Sequence, residues 1–142
     1  MKKLQEVEDA KALMQEAKSW SVMKWLREKK RVRAAADQAN AALDNLRQEI
    51  QGSWPEDLQS SYKPTPGTQP THQKSDGRLS KLKQVWEADQ QAAKARELAE
   101  KTFDDAEKQL STRLARVGCE KAVRSWELFE IAIDQAANLA RK

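Results

Sequence analysis

VRAAADQANAALDNLRQEI, residues 32–50, is the stretch that decides the fold. Val32, Ala36, Ala39, Leu43, Leu46 and Ile50 follow one another at intervals of 4, 3, 4, 3 and 4. An α-helix turns once every 3.6 residues, so this alternation lays all six on one stripe, the pattern of a helix packed along a seam. Upstream, Val7, Met14 and Trp25 fall in the same arc, roughly 80° wide, when the chain is projected at about 100° per residue. Residues 3–50 contain neither proline nor glycine. The pattern therefore predicts one long helix over about 3–50, with Gly52 just past its end in the position that favours a left-handed residue.

Punctuation begins where this stripe ends. All four prolines and three of the four glycines lie between Gly52 and Gly77. Residues 51–77 thus read as a linker of 27 residues inside a single helical domain covering 1–142. Ser53-Trp54-Pro55-Glu56 has the Ser and Glu three apart and the early proline of a helix start, so a short helical turn is expected over 54–60.

Ser75-Asp76-Gly77 ahead of Leu79 signals the next helix. Ala92, Ala99, Phe103, Ala106, Leu110, Leu114 and Val117 share one face from there on. Beyond Gly118 the apolar stripe jumps across the wheel to Cys119, Ala122, Trp126, Phe129 and Ile133. A straight helix cannot offer both stripes to one partner. A break at Gly118 repairs this and predicts helices over about 78–117 and 119–141, the last being apolar over the widest arc and so the most buried; the alternative is one uninterrupted helix that packs different partners along its length. The expectation is an all-α antiparallel bundle of three long helices. In the register this implies, Trp25, Phe103, Trp126 and Phe129 form one layer. The linker end is left thin, to be covered by Trp54 and Leu58 or by a second copy.

Composition agrees. Charged residues make up 34% of the 142-residue chain and apolar residues 39%. One cysteine, Cys119, cannot form an internal disulfide, which fits a reducing, cytoplasmic setting. No apolar run approaches the ~20 residues needed to span a bilayer, and no secretory h-region follows the N-terminus. His72 is the only histidine, so two-histidine metal motifs and Glu-x-x-His pairs are ruled out. Glycine-rich phosphate loops are absent too. No catalysis, cofactor, metal site or small-molecule substrate is indicated by these residues.

The net charge of +4 is local. Residues 24–33 hold six cations against one acid, Glu28. Lys24, Arg27, Lys30 and Arg31 form a stripe opposite Trp25 and Val32, and Trp20 falls inside it. Cations over a tryptophan make cation–π contacts, and Trp and Arg dominate interface hot spots. Trp20, Lys24, Arg27, Lys30 and Arg31 are therefore the candidate binding residues. The plain alternatives are a solvated face for the stripe and a core position for Trp20. Glu97, Glu100, Asp104 and Glu107 form an acidic row interleaved with Lys94, Lys101 and Lys108, which reads as a salt-bridged surface rather than a metal site. This row comes level with the basic stripe, so the two are also placed to neutralise each other. Cys119, on the apolar stripe, reads as a buried small hydrophobe, and His72 as solvated.

These features imply a non-catalytic interaction or scaffold protein. It is expected to self-associate or to bind an acidic protein, through a surface on the first helix, away from membranes. The competing expectation is a nucleic-acid binder that uses the stripe at 24–33.

Overall fold

The computed structural model describes residues 4–62 and 78–140, and all regular structure in them is helical. The order is α1 (Gln5–Ala17), α2 (Val22–Gly52), α3 (Glu56–Ser61), α4 (Arg78–Gln109) and α5 (Thr112–Ala140). The bundle thus has four main helices, not three. His72 and the helix-start signal at 75–77 lie outside the described residues.

The extra helix comes from a break at 18–21 in what the sequence pattern makes one helix. Three polar contacts cause it. Ser19 donates its hydroxyl to the Glu16 carbonyl at 2.8 Å, and its amide reaches the same oxygen at 3.1 Å. Ser21 then caps α2, its hydroxyl accepting from the Lys24 amide at 3.2 Å. Serines offer the backbone such alternatives to a continuous ladder. The chain turns back here, so α1 packs antiparallel against α2 and α5. Lys11–Glu130 at 2.8 Å and Lys18–Glu120 at 3.4 Å mark its register on α5.

The second break also falls elsewhere than expected. It lies at Leu110–Ser111, not at Gly118. Leu110 takes a left-handed φ of 51°, the Ser111 amide bonds to the Ala106 carbonyl at 3.0 Å, and the Ser111 hydroxyl caps Leu114 at 3.2 Å. Gly118 is helical and lies against the Phe103 ring, where an added Cβ would meet ring carbons at 3.0–3.3 Å. The stripe jumps at Gly118 because α5 is covered on several sides. It buries the row Ala115, Ala122, Phe129 and Ala136, and beside it the row Cys119, Trp126 and Ile133. The first row faces α4 in a tight hairpin, where Ala92, Ala99 and Ala106 recur every seventh residue and let the two backbones approach closely.

This hairpin sets the aromatic layer. Trp25 stacks on Phe103, with centroids 6.4 Å apart and planes at 7°. Trp126 and Phe129 sit further along the bundle. The indole of Trp126 donates to the Asn40 side chain at 2.8 Å, and Phe129 lies under Arg96 at 4.0 Å. The expected layer of four splits in two because the fold-back comes eight residues before Gly118.

The linker end is covered from within the chain. Trp54, Leu58 and Tyr62, on and around α3, pack with Leu82, Val85, Ala136 and Leu139 in a second apolar cluster. The Trp54 indole donates to the Ala136 carbonyl at 2.7 Å. The span 51–77 is therefore not all linker. Its first part is a built element. At the other edge, Gly52 is the last residue of α2 rather than the residue after it.

Candidate functional site

Two features stand out: a polar clasp between α2 and α4, and an open face on the first turns of α2.

The clasp follows from which residues occupy seam positions. On α4 the row Leu82, Val85, Asp89, Ala92, Arg96, Ala99, Phe103 and Ala106 keeps strict 3- and 4-residue spacing, its apolar members buried and its two ionic members, Asp89 and Arg96, partly exposed. Opposite them on α2 are Arg33, Asn40 and Arg47, seven residues apart. Arg47, 9% exposed, forms a two-pronged pair with Asp89 at 2.8 and 3.2 Å. Its guanidinium also lies 5.1 Å from the Trp54 ring centre and 5.5 Å from that of Tyr62. The Tyr62 hydroxyl donates to Asp89. Burial alone would lower the Arg47 pKa, but the hydrogen bond and charge of Asp89 hold it above the usual value. Burial, reinforced by Asp89, pushes the Tyr62 phenol well above its ordinary range. Arg96 pairs with Asp44 at 3.1 Å, and Arg33 with Asp104 at 3.0 Å.

A cleft of about 400 Å³ opens beside this clasp, lined by Asp44, Arg47, Gln48, Tyr62, Asp89 and Arg96 among others. Its two cations and two acids are already paired with each other. Each charge in it has an opposite charge beside it, and these contacts tie α2 to α4 and, through Tyr62, to the end of α3. The sequence reading missed it because Arg47 lies one residue off the predicted stripe. The polar residues at seam spacing on α4 were the available signal.

The open face holds the candidate binding residues, with one correction. Trp20 is 4% exposed and belongs to the core cluster, so it cannot anchor a partner directly. The break at 18–21 turns it inward, and its carbonyl accepts from Arg116 at 3.3 Å. Lys24 is half-buried, its ammonium 5.3 Å from the Trp20 ring centre. Arg27, Lys30 and Arg31 are exposed and form no ion pair among the described residues. Arg31 turns toward α1, lining a shallow groove with Glu6 and Asp9. Of the six cations at 24–33, only Arg33 meets the acidic row, at Asp104 and, at 4.0 Å, Glu107. Glu97 and Glu100 stay exposed, form no ion pair among the described residues, and do not bridge to the interleaved lysines.

Beside Arg27 and Lys30 stand three large apolar side chains outside the candidate set, of which the sequence pattern places Met23 on the same side as Trp20. Val22 is 49% exposed, Met23 70% and Leu26 38%. Met23 and Leu26 lie exposed outside the core stripe of α2. Their position three residues apart, outside the core stripe, was the signal.

Cys119 is buried, and burial raises its thiol pKa to about 11, which keeps it protonated and unreactive at neutral pH. No group of three or more metal-ligating side chains occurs among the described residues, and no described helix is long and apolar enough to cross a membrane. No family model, curated protein or solved structure matches the chain.

Proposed function

We propose that this is a non-catalytic interaction protein. Its helical bundle serves as a scaffold for one contact surface, the outer face of the first turns of α2, through which it self-associates. The observation that carries the reading is the juxtaposition of exposed Val22, Met23 and Leu26 with Arg27 and Lys30, cations that form no ion pair among the described residues. Contiguous exposed apolar groups rimmed by charge mark interaction sites, and Met and Arg are enriched in the cores of such sites. Trp20 acts from beneath, fixing the start of α2 rather than touching the partner.

Sedimentation velocity of the full chain at low and high salt tests this, on wild type, Met23→Glu and Arg27→Glu. Wild type is expected to sediment heavier than a monomer at both salts, because apolar contact survives screening. Met23→Glu is expected to be monomeric and, with Met23 already exposed, still folded. A wild-type monomer at every concentration and salt refutes the self-association reading.

The second reading, nucleic-acid binding by Arg27, Lys30 and Arg31, rests on the same cations. It requires that a labelled duplex bind with steep salt dependence and be lost with Arg27→Glu. Duplex binding that leaves Met23→Glu unaffected would favour it over self-association.

A further inference from the structure

The outer face of α2 carries its own complement. Along it, Met23, Arg27, Lys30, Ala34, Asp37 and Ala41 follow at intervals of 4, 3, 4, 3 and 4, and all six are exposed. This is a second seam-like row on the side of the helix away from the core. Its residues run from apolar, through cationic, through small, to acidic.

Lys30 and Asp37 are seven residues apart, about 10 Å along the axis, too far to pair within one helix. Neither pairs with any other described residue. An antiparallel second copy removes the mismatch. With a two-fold axis passing near Ala34, Lys30 of each copy faces Asp37 of the other. Leu26 comes opposite the other copy's Ala41, and the two copies of Ala34 flank the axis, each opposite residue 33 of the other chain. Small residues at the crossing let two helices approach to about 8 Å, which brings the flanking charges within reach.

The neighbouring helix adds to this complementarity. The Arg33–Asp104 and Arg47–Asp89 pairs set the register of α4 against α2, and place Glu97 and Glu100 beside residues 37–40. The second copy's Arg27 therefore arrives level with two exposed carboxylates that have no ion-pair partner among the described residues.

We propose that the self-association surface is this two-fold pairing of α2 with α2 of a second copy, locked by reciprocal Lys30–Asp37 contacts and closed at each end by Met23 and Leu26. The proposal rests on the self-association reading above. It is an isologous contact, in which one patch serves both sides. A single helix-on-helix contact lies at the small end of specific interfaces, so the dimer is expected to be weak, with a Kd of roughly micromolar order that rises at high salt as the Lys30–Asp37 contacts are screened while the apolar contacts persist.

A charge swap tests it on the full chain, read as the dimer Kd by sedimentation. Lys30→Asp and Asp37→Lys each turn two attractive contacts into repulsive ones, and each is expected to weaken the dimer by about 30-fold. The Lys30→Asp/Asp37→Lys double variant restores both contacts with signs exchanged and is expected to recover to within about threefold of wild type. Separately, Ala34→Cys is expected to form an intermolecular disulfide under mild oxidation while Gln91→Cys, an exposed site on α4, does not. The buried Cys119 stays out of the reaction. A double variant as weak as the single ones overturns the two-fold pairing. If Met23→Glu still dissociates the dimer in that case, self-association through α2 stands and only this geometry falls. A wild-type monomer at all concentrations overturns both.

Discussion

Replacing Asp89 by alanine should be the most damaging single surface-to-core change in the clasp. The Asp89 side chain is 13% exposed and its Arg47 partner 11%. The carboxylate accepts both guanidinium prongs and the Tyr62 hydroxyl. Its removal leaves a buried cation whose remaining neighbours are two aromatic rings and a neutral hydroxyl. Breaking a buried pair from one side costs about 3–5 kcal/mol, against a total stability of roughly 5–15 kcal/mol for a domain. For a chain of this length that is a fall in Tm of about 10 °C or more. Thermal melts followed by circular dichroism at neutral pH measure it. Asp104→Ala is the control, because the Arg33–Asp104 pair is far more open, at 32% and 55% exposed, and should cost less than about 1 kcal/mol. The double replacement Arg47→Met with Asp89→Leu removes both charges together. It should recover most of the loss, falling short by about 1–2 kcal/mol for the ring contacts and the Tyr62 hydrogen bond. If Asp89→Ala costs no more than Asp104→Ala, the clasp does not hold the bundle and the reasoning fails.

Three further outcomes follow from the same structure. Leu110→Gly should stabilise the chain by about 1 kcal/mol, because Leu110 is exposed and held at a φ of 51°, which glycine adopts without a Cβ penalty; a lower urea midpoint would contradict this. Gly118→Val should cost about 2–3 kcal/mol in urea unfolding, since branched carbons would be forced into a Phe103 ring already stacked on Trp25; an unchanged midpoint would mean that the ring has room to move. Cys119 gives an alkaline signature. Its folded pKa of about 11 lies above the value of about 8.5 for a free thiol, so its contribution is complete below pH 8 and is lost as pH rises through 11. Unfolding free energy should drop by about 1.4 kcal/mol per pH unit between roughly pH 9 and 11, and Cys119→Ala should flatten that slope. An equal slope in both proteins would refute the assignment.

The helical class and the core stripe of α2 were legible because apolar period and lack of punctuation both act within a few residues. Trp54 and Leu58 were rightly marked as cover for the thin end. The breaks were not legible in the same way. Ser19 and Ser21 read as ordinary members of a long helix, and their capping bonds matter only because α1 has somewhere to fold. Gly118 drew attention as a breaker, yet its lack of a side chain serves Phe103, a contact 15 residues away that no local pattern records. The chain instead turns at Leu110, whose left-handed backbone runs against its own preference. The same holds for the site. Arg27 and Lys30 could be found by charge counting alone, but whether Trp20 faced solvent depended on the break beside it.

The ion pairs between α2 and α4 also bear on uniqueness. Apolar seams with a seven-residue repeat are nearly indifferent to sliding by one repeat, because each alanine or leucine meets another much like it. The two acid–base pairs, of which Arg47–Asp89 is buried, are not indifferent. Asp44 meets Arg96 and Arg47 meets Asp89, and on α4 these partners are seven residues apart. A slide of one repeat in one direction sets Asp44 against Asp89. In the other direction it sets Arg47 against Arg96. Either wrong alignment sets like charges face to face, so the four ionic side chains disfavour both shifted registers.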